Sequence, residues 1–222
     1  MSKTATDTAM SFTDALNEVS EKQAKAMAKK IATAIDERAD FEEKAQPDNF
    51  EKNMKPKLNG VRNKLANTRA ARVLIATGTD ESFINRSVND GKRHNIYALQ
   101  KVADAVDLLA ADALPEKSNM INRTIIRSLF RLQKAGHAMT FELAKACCSK
   151  NYRPKEGVDP KALKHIDRYT VSPATVSTQS SSTMSALVTL GLVERSGGRR
   201  NTSFNILANA ATEKLANMMQ VA

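Results

Sequence analysis

The stretch "SALVTLGLVERSGGRRNTSFNI", residues 185–206, decides the fold class of the C-terminal half of this chain. A helical apolar pattern ends at Leu190, Gly191 follows, and two short apolar segments then flank a pair of glycines. Glycine adopts the positive φ angles that end a helix or turn a hairpin more readily than other residues. The stretch therefore predicts a helix end and then a β-hairpin, whose exposed tip holds Gly197, Gly198, Arg199 and Arg200.

Three helices are predicted before this hairpin, within residues 118–190. Apolar residues recur there at three- and four-residue steps, and the first helix stops at Gly136. A short extended link, "HAMT", separates the first helix from the second, and residues 150–172 are predicted to form an irregular insertion before the third. Residues that commonly cap helices precede the three helices: Ser118 or Asn119, Thr140, and Ser172 followed by Pro173.

This order of helix, link, helix, helix, strand, turn and strand resembles the winged helix-turn-helix family. The resemblance is carried by Leu187, Leu190, Gly191, Leu192, Val193, Glu194 and Arg195, followed by the tip glycines and arginines. It implies that the hairpin is a wing and that the third helix is a DNA recognition helix. The helices on either side of the domain resemble the dimerising helices of MarR-like regulators, although the insertion is longer than in that family and residues 47–114 have no counterpart there.

The third predicted helix has an uncharged polar surface. Its segment "TVSTQSSSTMS", residues 175–185, contains no charged residue and many short hydroxyl side chains. Such side chains can lie close to base edges and phosphates without a charge conflict. The alternative is a soluble linker, but the helical register continues without a break into Leu187 and Leu190. The predicted groove-facing set is Thr178, Gln179, Ser181, Ser182 and Ser185.

Two groups of cations are predicted to contact the DNA backbone. The wing offers arginines, whose guanidinium groups bind phosphate in a bidentate manner and suit a narrow minor groove. The first helix of the domain carries a cationic row at steps of four, four and three residues, for which a solvated surface is the alternative interpretation. The predicted contacts are Arg195, Arg199 and Arg200 in the wing, and Arg123, Arg127, Arg131 and Lys134 in the row.

Positive charge is concentrated in the second half of the chain. Residues 1–110 carry 18 Lys and Arg against 16 Asp and Glu, whereas residues 111–222 carry 16 against 8. An acidic partner is therefore attracted mainly to the second half. A second basic zone between residues 52 and 72 is predicted to bind either DNA or an acidic protein surface. Its residues near one helix face are Lys55, Arg62, Arg69 and Arg72.

The predicted organisation has five parts. They are a tail and long amphipathic helix at 1–46, a linker at 47–57, a helical unit at 58–115, the winged helix-turn-helix domain at 116–206 and a C-terminal helix at 207–222. The first helix, predicted from residue 13 to about 45, has a thin apolar stripe and needs either another chain or the rest of the protein to stay folded. A homodimer is the expectation. In the helical unit, the predicted buried face of one helix is Ile96, Leu99, Ala103, Val106, Leu109 and Ala113.

Composition and missing motifs exclude several classes of protein. Aromatic residues make up 5% of the chain, with no tryptophan, which favours a mainly helical fold over a sandwich or barrel. The chain has no apolar run of membrane-span length, so we expect a cytoplasmic protein with no membrane contact, associated with the nucleoid if it binds DNA. The adjacent Cys147 and Cys148 predict no disulfide framework, and none of the three histidines has metal-ligand spacing. Without a phosphate-binding loop, a nucleophile elbow or clustered carboxylates, we expect a non-enzymatic protein with no cofactor.

These features together predict a protein that binds double-stranded DNA and acts as a homodimeric transcriptional regulator. Two alternatives stay open at the level of sequence, because winged helices also dock onto proteins. One is an adaptor or structural protein whose basic zones bind an acidic protein partner. The other is a replication or genome-packaging accessory protein with little sequence preference.

Overall fold

The structure is a computed structural model that describes residues 10–89, 92–154, 158–198 and 202–221. The protein is mainly helical, as the composition predicts, with a small three-stranded antiparallel sheet and a two-stranded ribbon. The helices are α1 (Phe12–Glu18), α2 (Glu21–Ala45), α3 (Pro47–Asn49), α4 (Lys55–Leu65), α5 (Thr68–Ala76), α6 (Ser82–Asn85), α7 (Ile96–Ala110), α8 (Met120–Lys134), α9 (Phe141–Cys147), α10 (Val176–Thr189) and α11 (Ala210–Met218). The strands are β1 (Ser87–Asn89), β2 (Lys92–Arg93), β3 (Met139–Thr140), β4 (Val193–Ser196) and β5 (Ser203–Ile206).

The N-terminal helix is interrupted where a single helix was predicted. The chain leaves the helical conformation at Val19 and starts again after Ser20. Ser20 and Gln23 form a capping box, in which each side chain pairs with the backbone N–H of the other. Gln23, which falls within the apolar stripe of the sequence, therefore serves to begin α2 rather than to pack in a core.

The apolar stripe of α2 is covered by the same chain. Ile31, Ala34 and Ile35 are buried, and α2 packs against α4, α5 and α6. The sequence left open whether another chain or the rest of the protein supports this helix. In the structure, the rest of the protein supplies the burial that α2 needs.

The linker predicted at 47–57 is wrong, because this segment is helical. A short helix, Pro47–Asn49, leads into a π-helical turn, Phe50–Met54, and then directly into α4. Both prolines of the segment lie in the first turn of a helix, where the missing N–H costs nothing. Phe50 is buried in the main core, so the segment belongs to the packed structure.

One apolar core runs from Phe12 to Met219 and crosses the boundary predicted at residue 115. Helix α7 lies at its centre and packs against α4 and α5 on the N-terminal side and against α10 on the other. For this reason the helix is buried on more than its predicted face, and Ala98, Val102 and Ala105 are buried as well. The two helical regions are therefore joined through α7 rather than separated by a linker.

The C-terminal half has the element order that the sequence predicts: α8, β3, α9, α10, β4 and β5. The sheet has the order β3-β5-β4, with Met139 opposite Phe204 and Val193 opposite Ile206. Asn119 caps α8, and Gly136 and Gly191 have φ angles of 76° and 62° where α8 and α10 end. The predicted stops of both helices are confirmed.

The insertion between α9 and α10 is anchored to the end of α9. The backbone N–H groups of Tyr169 and Val171 donate to the carbonyl oxygens of Cys147 and Cys148 over 2.8 and 3.0 Å. Within the insertion, Ala162–His165 form a 3-10 turn, and a second 3-10 turn, Pro173–Thr175, leads into α10. Both cysteine thiols are free and buried, and burial raises the pKa of Cys147 to about 12.

Candidate nucleic-acid interface

Helix α10 exposes only a narrow strip of its surface. It packs against α7, α8 and α9, and its Val176, Met184 and Leu187 are buried. Two side chains in its first half, Ser177 and Ser181, are exposed, and they lie one turn apart. The surface that α10 can present to a large partner is therefore its N-terminal half.

The predicted groove-facing set is divided by this packing. Ser181 is exposed and Thr178 is half-buried beside it, with the Ser181 hydroxyl donating to the Thr178 carbonyl over 3.3 Å. Ser177 belongs to the same strip but was missing from the prediction. Its spacing of four residues from Ser181 is the signal that could have identified it.

Ser182 does not face a groove, and its assignment to the groove-facing set is wrong. The residue is 2% exposed, because it lies on the side of α10 that the rest of the protein covers. The amide oxygen of Gln179 is also buried and has no hydrogen-bond partner among the residues that the structure describes. Gln179 instead lines a cavity shared with α4 and α7.

Ser185 contacts the N-terminal region through His94. The His94 Nδ1 atom lies 3.2 Å from the Phe83 carbonyl oxygen, so it carries the proton and donates. The His94 Nε2 atom therefore accepts, from the Ser185 hydroxyl at 3.0 Å and from Arg86 at 3.3 Å. This buried network connects α10 to the segment that precedes α7.

His94 is held in its neutral form. Burial lowers its pKa from 6.5 to about 4, and the charge of Arg86 acts in the same direction. Protonation would also place a donor where Nε2 now accepts two hydrogen bonds. The neutral ring is thus a condition for the contact between Ser185 and the N-terminal region.

We expect the protein to lose stability as the pH falls from 6.5 towards 4, because the unfolded chain then takes up a proton at His94 that the folded chain does not. The stability contributed by neutral His94 is fully present above the unfolded pKa and is lost as the pH falls through this window. Urea unfolding of the wild type and of His94→Gln at about pH 7.5 and about pH 4.5 measures the difference. An equal loss in both proteins would rule out His94 as its source.

The hairpin β4–β5 carries one described cation of the predicted set, Arg195. Its side chain is exposed, lies 6.0 Å from the centroid of the Phe141 ring and donates to the Thr202 hydroxyl over 3.4 Å. Thr202 in turn donates to the Gly198 carbonyl over 2.8 Å, and Gly197 has a φ angle of 78°. Arg199 and Arg200 lie outside the described residues.

The cationic row of α8 does not join the exposed strip of α10. Arg127 lies 3.5 Å from the Asp167 carboxylate, and Arg131 forms an ion pair with the same carboxylate. Arg123 and Arg127 line a groove of about 760 Å³ between α1, α8 and α11. Lys134 is exposed. Most residues of the row therefore contact the insertion or line the groove, and its assignment to DNA contact stays a prediction.

A cleft beside the start of α10 holds cations that the sequence prediction missed. Its volume is about 450 Å³, and Lys145, Tyr152, Arg153 and Ser177 are among its lining residues. Arg153 is exposed, as is the neighbouring Lys150, whereas Lys145 forms an ion pair with Glu142 at 2.8 Å. The signal in the sequence is the segment "SKNYRPK", residues 149–155, which follows α9 without an acidic residue.

The second basic zone is used inside the protein, and the expectation of one cationic face is wrong. Arg62 pairs with Asp36, and Lys55 pairs with Glu51 at 2.7 Å. Arg69 donates to the Ala110 carbonyl over 2.9 Å. Arg72 donates to the carbonyl oxygens of Leu16 and Val19 and lies 3.1 Å from the Glu21 carboxylate. Three of these four cations therefore connect helices to one another, which a sequence cannot reveal.

Within residues 10–89, 92–154, 158–198 and 202–221, no group of His, Cys, Asp and Glu side chains is arranged to hold a metal ion. No helix in these ranges combines the length and apolar character needed to span a membrane. Comparison of the chain with models of protein families, with curated proteins and with solved structures finds no match.

Proposed function

We propose that the protein binds double-stranded DNA through a winged helix-turn-helix formed by α8 to β5. The observation that carries this proposal is the arrangement of α8, β3, α9, α10 and the hairpin around a sheet of order β3-β5-β4, with Ser177 and Ser181 of α10 exposed. In such an arrangement the recognition helix enters the major groove and the wing lies beside it. The net charge of +10 supports a polyanionic partner.

The contact set follows from the exposed surface. Ser177, Thr178 and Ser181 approach the base edges, because Ser177 and Ser181 are exposed on α10 and Thr178 is half-buried beside them. Arg153, in the cleft beside the start of α10, and the exposed Lys150 of the same segment neutralise phosphate on one side. The wing arginines do so on the other, and Arg195 is stacked on Phe141 for this purpose.

The packing of α7 against α10 limits how α10 can bind DNA. Ser182 is buried and Ser185 bonds to His94, so α10 cannot lie along the groove over its whole length. The geometry therefore favours an end-on approach of α10. Homodimerisation and a role in transcription stay predictions of the resemblance.

Replacing Lys150 and Arg153 together with Gln is expected to weaken binding to a mixed-sequence duplex and to reduce the salt dependence. Each lost phosphate contact lowers the slope of log affinity against log salt by about 0.9, so the pair lowers it by about 1.8. Arg199→Ala with Arg200→Ala, at the predicted wing tip, is expected to have an effect of the same size. Fluorescence anisotropy with a labelled duplex at several salt concentrations provides the measurement.

The matched control is Lys22→Gln with Lys29→Gln, which removes the same charge from exposed positions on α2. We expect it to leave the salt slope unchanged. A wild-type protein that binds no duplex at physiological salt would overturn the proposal and favour the adaptor function. Binding that does not discriminate between sequences would retain DNA binding and exclude a sequence-specific regulator.

A further inference from the structure

The end of α8 and the insertion together form an exposed cationic surface. Arg131 and Lys134 belong to the last turn of α8, and Lys161 and Lys164 belong to the first 3-10 turn of the insertion and its N-cap. All four residues are exposed. We call this surface, defined by Arg131, Lys134, Lys161 and Lys164, the α8–insertion patch.

Contacts around His137, just beyond α8, hold the two parts of the patch together. The His137 Nδ1 atom lies 3.6 Å from the Asp159 carboxylate, and 5.9 Å separates the centroids of the His137 and His165 rings. Lys161 follows Asp159 by two residues, and Lys164 directly precedes His165. The 3-10 turn between them also packs against α8. Both lysines of the insertion therefore lie close to the end of α8.

Positive charge exceeds negative charge in this region. The Asp167 carboxylate is shared by Arg127 and Arg131, and the Asp159 carboxylate also accepts a backbone N–H of the insertion over 2.8 Å. In the described part of the chain, no carboxylate lies within ion-pair distance of the three patch lysines. Five cations, Arg127 and the four of the patch, thus stand against two carboxylates, which leaves an excess of three positive charges.

The patch lies at the base of the β4–β5 hairpin. The Gln133 side chain, in the last turn of α8, accepts the backbone N–H of Ile206 over 3.1 Å. Ile206 is the last residue of β5 and pairs with Val193, the first residue of β4. The hairpin tip is at the other end of these strands, so the patch and the tip are separated by the length of the hairpin.

The proposed duplex site lies at the far end of α10 from the hairpin base. Helix α10 ends at Thr189, and β4 begins a few residues later at Val193. Ser177, at the start of the helix, precedes Thr189 by twelve residues, which corresponds to about 18 Å along the axis. A duplex held at the start of α10 therefore leaves the α8–insertion patch free for a second polyanion.

The composition of the patch fits phosphate better than a protein surface. Lysine is depleted at protein–protein interfaces, which have an apolar and often aromatic centre. Three of the four patch residues are lysines, and the neighbouring Leu132 and Leu163 pack in or against the core. Contacts of lysine and arginine with phosphate need no apolar centre.

We propose that the α8–insertion patch binds the backbone of a second DNA duplex, so that one protein molecule bridges two duplexes. This inference rests on the proposed function, because the first duplex is the one held at α10. The second contact is made to phosphates alone, so it does not depend on the sequence of the second duplex.

A capture experiment with the full chain tests the bridge. One short duplex is fixed to beads, and a fluorescent duplex of unrelated sequence is retained only where the protein holds both. We expect the wild type to retain the second duplex, and Lys134→Gln with Lys161→Gln and Lys164→Gln to retain at least about tenfold less. Fluorescence anisotropy with a single duplex should give the same affinity and salt slope for both proteins, since the contacts at α10 are intact.

The matched control is Lys22→Gln with Lys29→Gln and Lys44→Gln, which removes the same charge from exposed positions on α2 and should retain the second duplex. Thermal unfolding shows that both variants are folded. A homodimer with two α10 sites would hold two duplexes equally well with and without the patch lysines.

Unchanged retention by the patch variant therefore overturns the inference. A wild type that binds the single duplex but retains no second one also overturns it, leaves the proposed function standing and favours an acidic protein as the partner of the patch. A wild type that binds no duplex at all overturns the proposed function and the bridge together.

Discussion

Arg38→Met is expected to lower the free energy of unfolding by about 3–5 kcal/mol, because it removes one member of a buried charged network. Arg38 is 2% exposed, and its guanidinium donates to the carbonyl oxygens of Ile84 and His94 over 2.9 and 2.7 Å. It also pairs with the Glu42 carboxylate at 2.7 Å. Methionine has a similar length but no donor, so these acceptors would lose a partner that joins α2 to the end of α6 and the start of α7.

Lys25→Met provides the control for this change in charge on the same helix. Lys25 and Glu21 lie 3.6 Å apart, with 70% and 56% of their side chains exposed. Exposed pairs of this kind contribute about 0.5 kcal/mol or less. Urea or guanidinium unfolding measures both variants. A loss below about 1 kcal/mol for Arg38→Met would mean that water reaches these carbonyls and that the network is not what joins the helices.

Phe204→Ala is expected to cost about 3–5 kcal/mol, the range for a buried aromatic residue whose removal leaves a cavity. Phe204 is 2% exposed, stands opposite Met139 in the sheet and packs edge-on against Phe141 with 4.9 Å between ring centroids. It therefore holds β5 to both β3 and α9. The proposed duplex binding should be lost as well, because the β4–β5 hairpin and α9 would no longer be positioned together.

Leu207→Ala is the comparison for the hairpin, since Leu207 follows β5 directly and is 36% exposed. We expect a small change in the free energy of unfolding and unchanged duplex binding. A different result is expected if β4 alone holds the hairpin in place. In that case Phe204→Ala would retain both the stability and the binding of the wild type.

Local signals in the sequence were sufficient for the C-terminal elements. These signals depend on residues adjacent in the chain. They are the cap at Asn119, the helix stops at Gly136 and Gly191, and the hairpin between Gly191 and Ile206. The same kind of reasoning failed for residues 47–57, where two prolines suggested a break. Each proline lies in the first turn of a helix, and only the burial of Phe50 shows that the segment is packed.

The candidate site was only partly accessible to sequence reasoning. Ser181 and the hairpin residue Arg195 are exposed at the surface, as predicted. Ser182 is not, because helical spacing cannot say that a second helix covers that side. Arg153 was missed for the opposite reason, since the fold of the insertion brings it into the cleft beside the start of α10.

The sequence by itself determined where most helices and strands begin and end, because capping, glycine torsions and apolar spacing act over a few residues. Only the tertiary structure decided which polar faces are free. It buried Arg38, turned most of the second basic zone into contacts between helices and placed α7 against α10. The physical reason is that burial and charge pairing depend on residues distant in the chain, such as Arg38 with His94 and His94 with Ser185, which meet only when the core has formed.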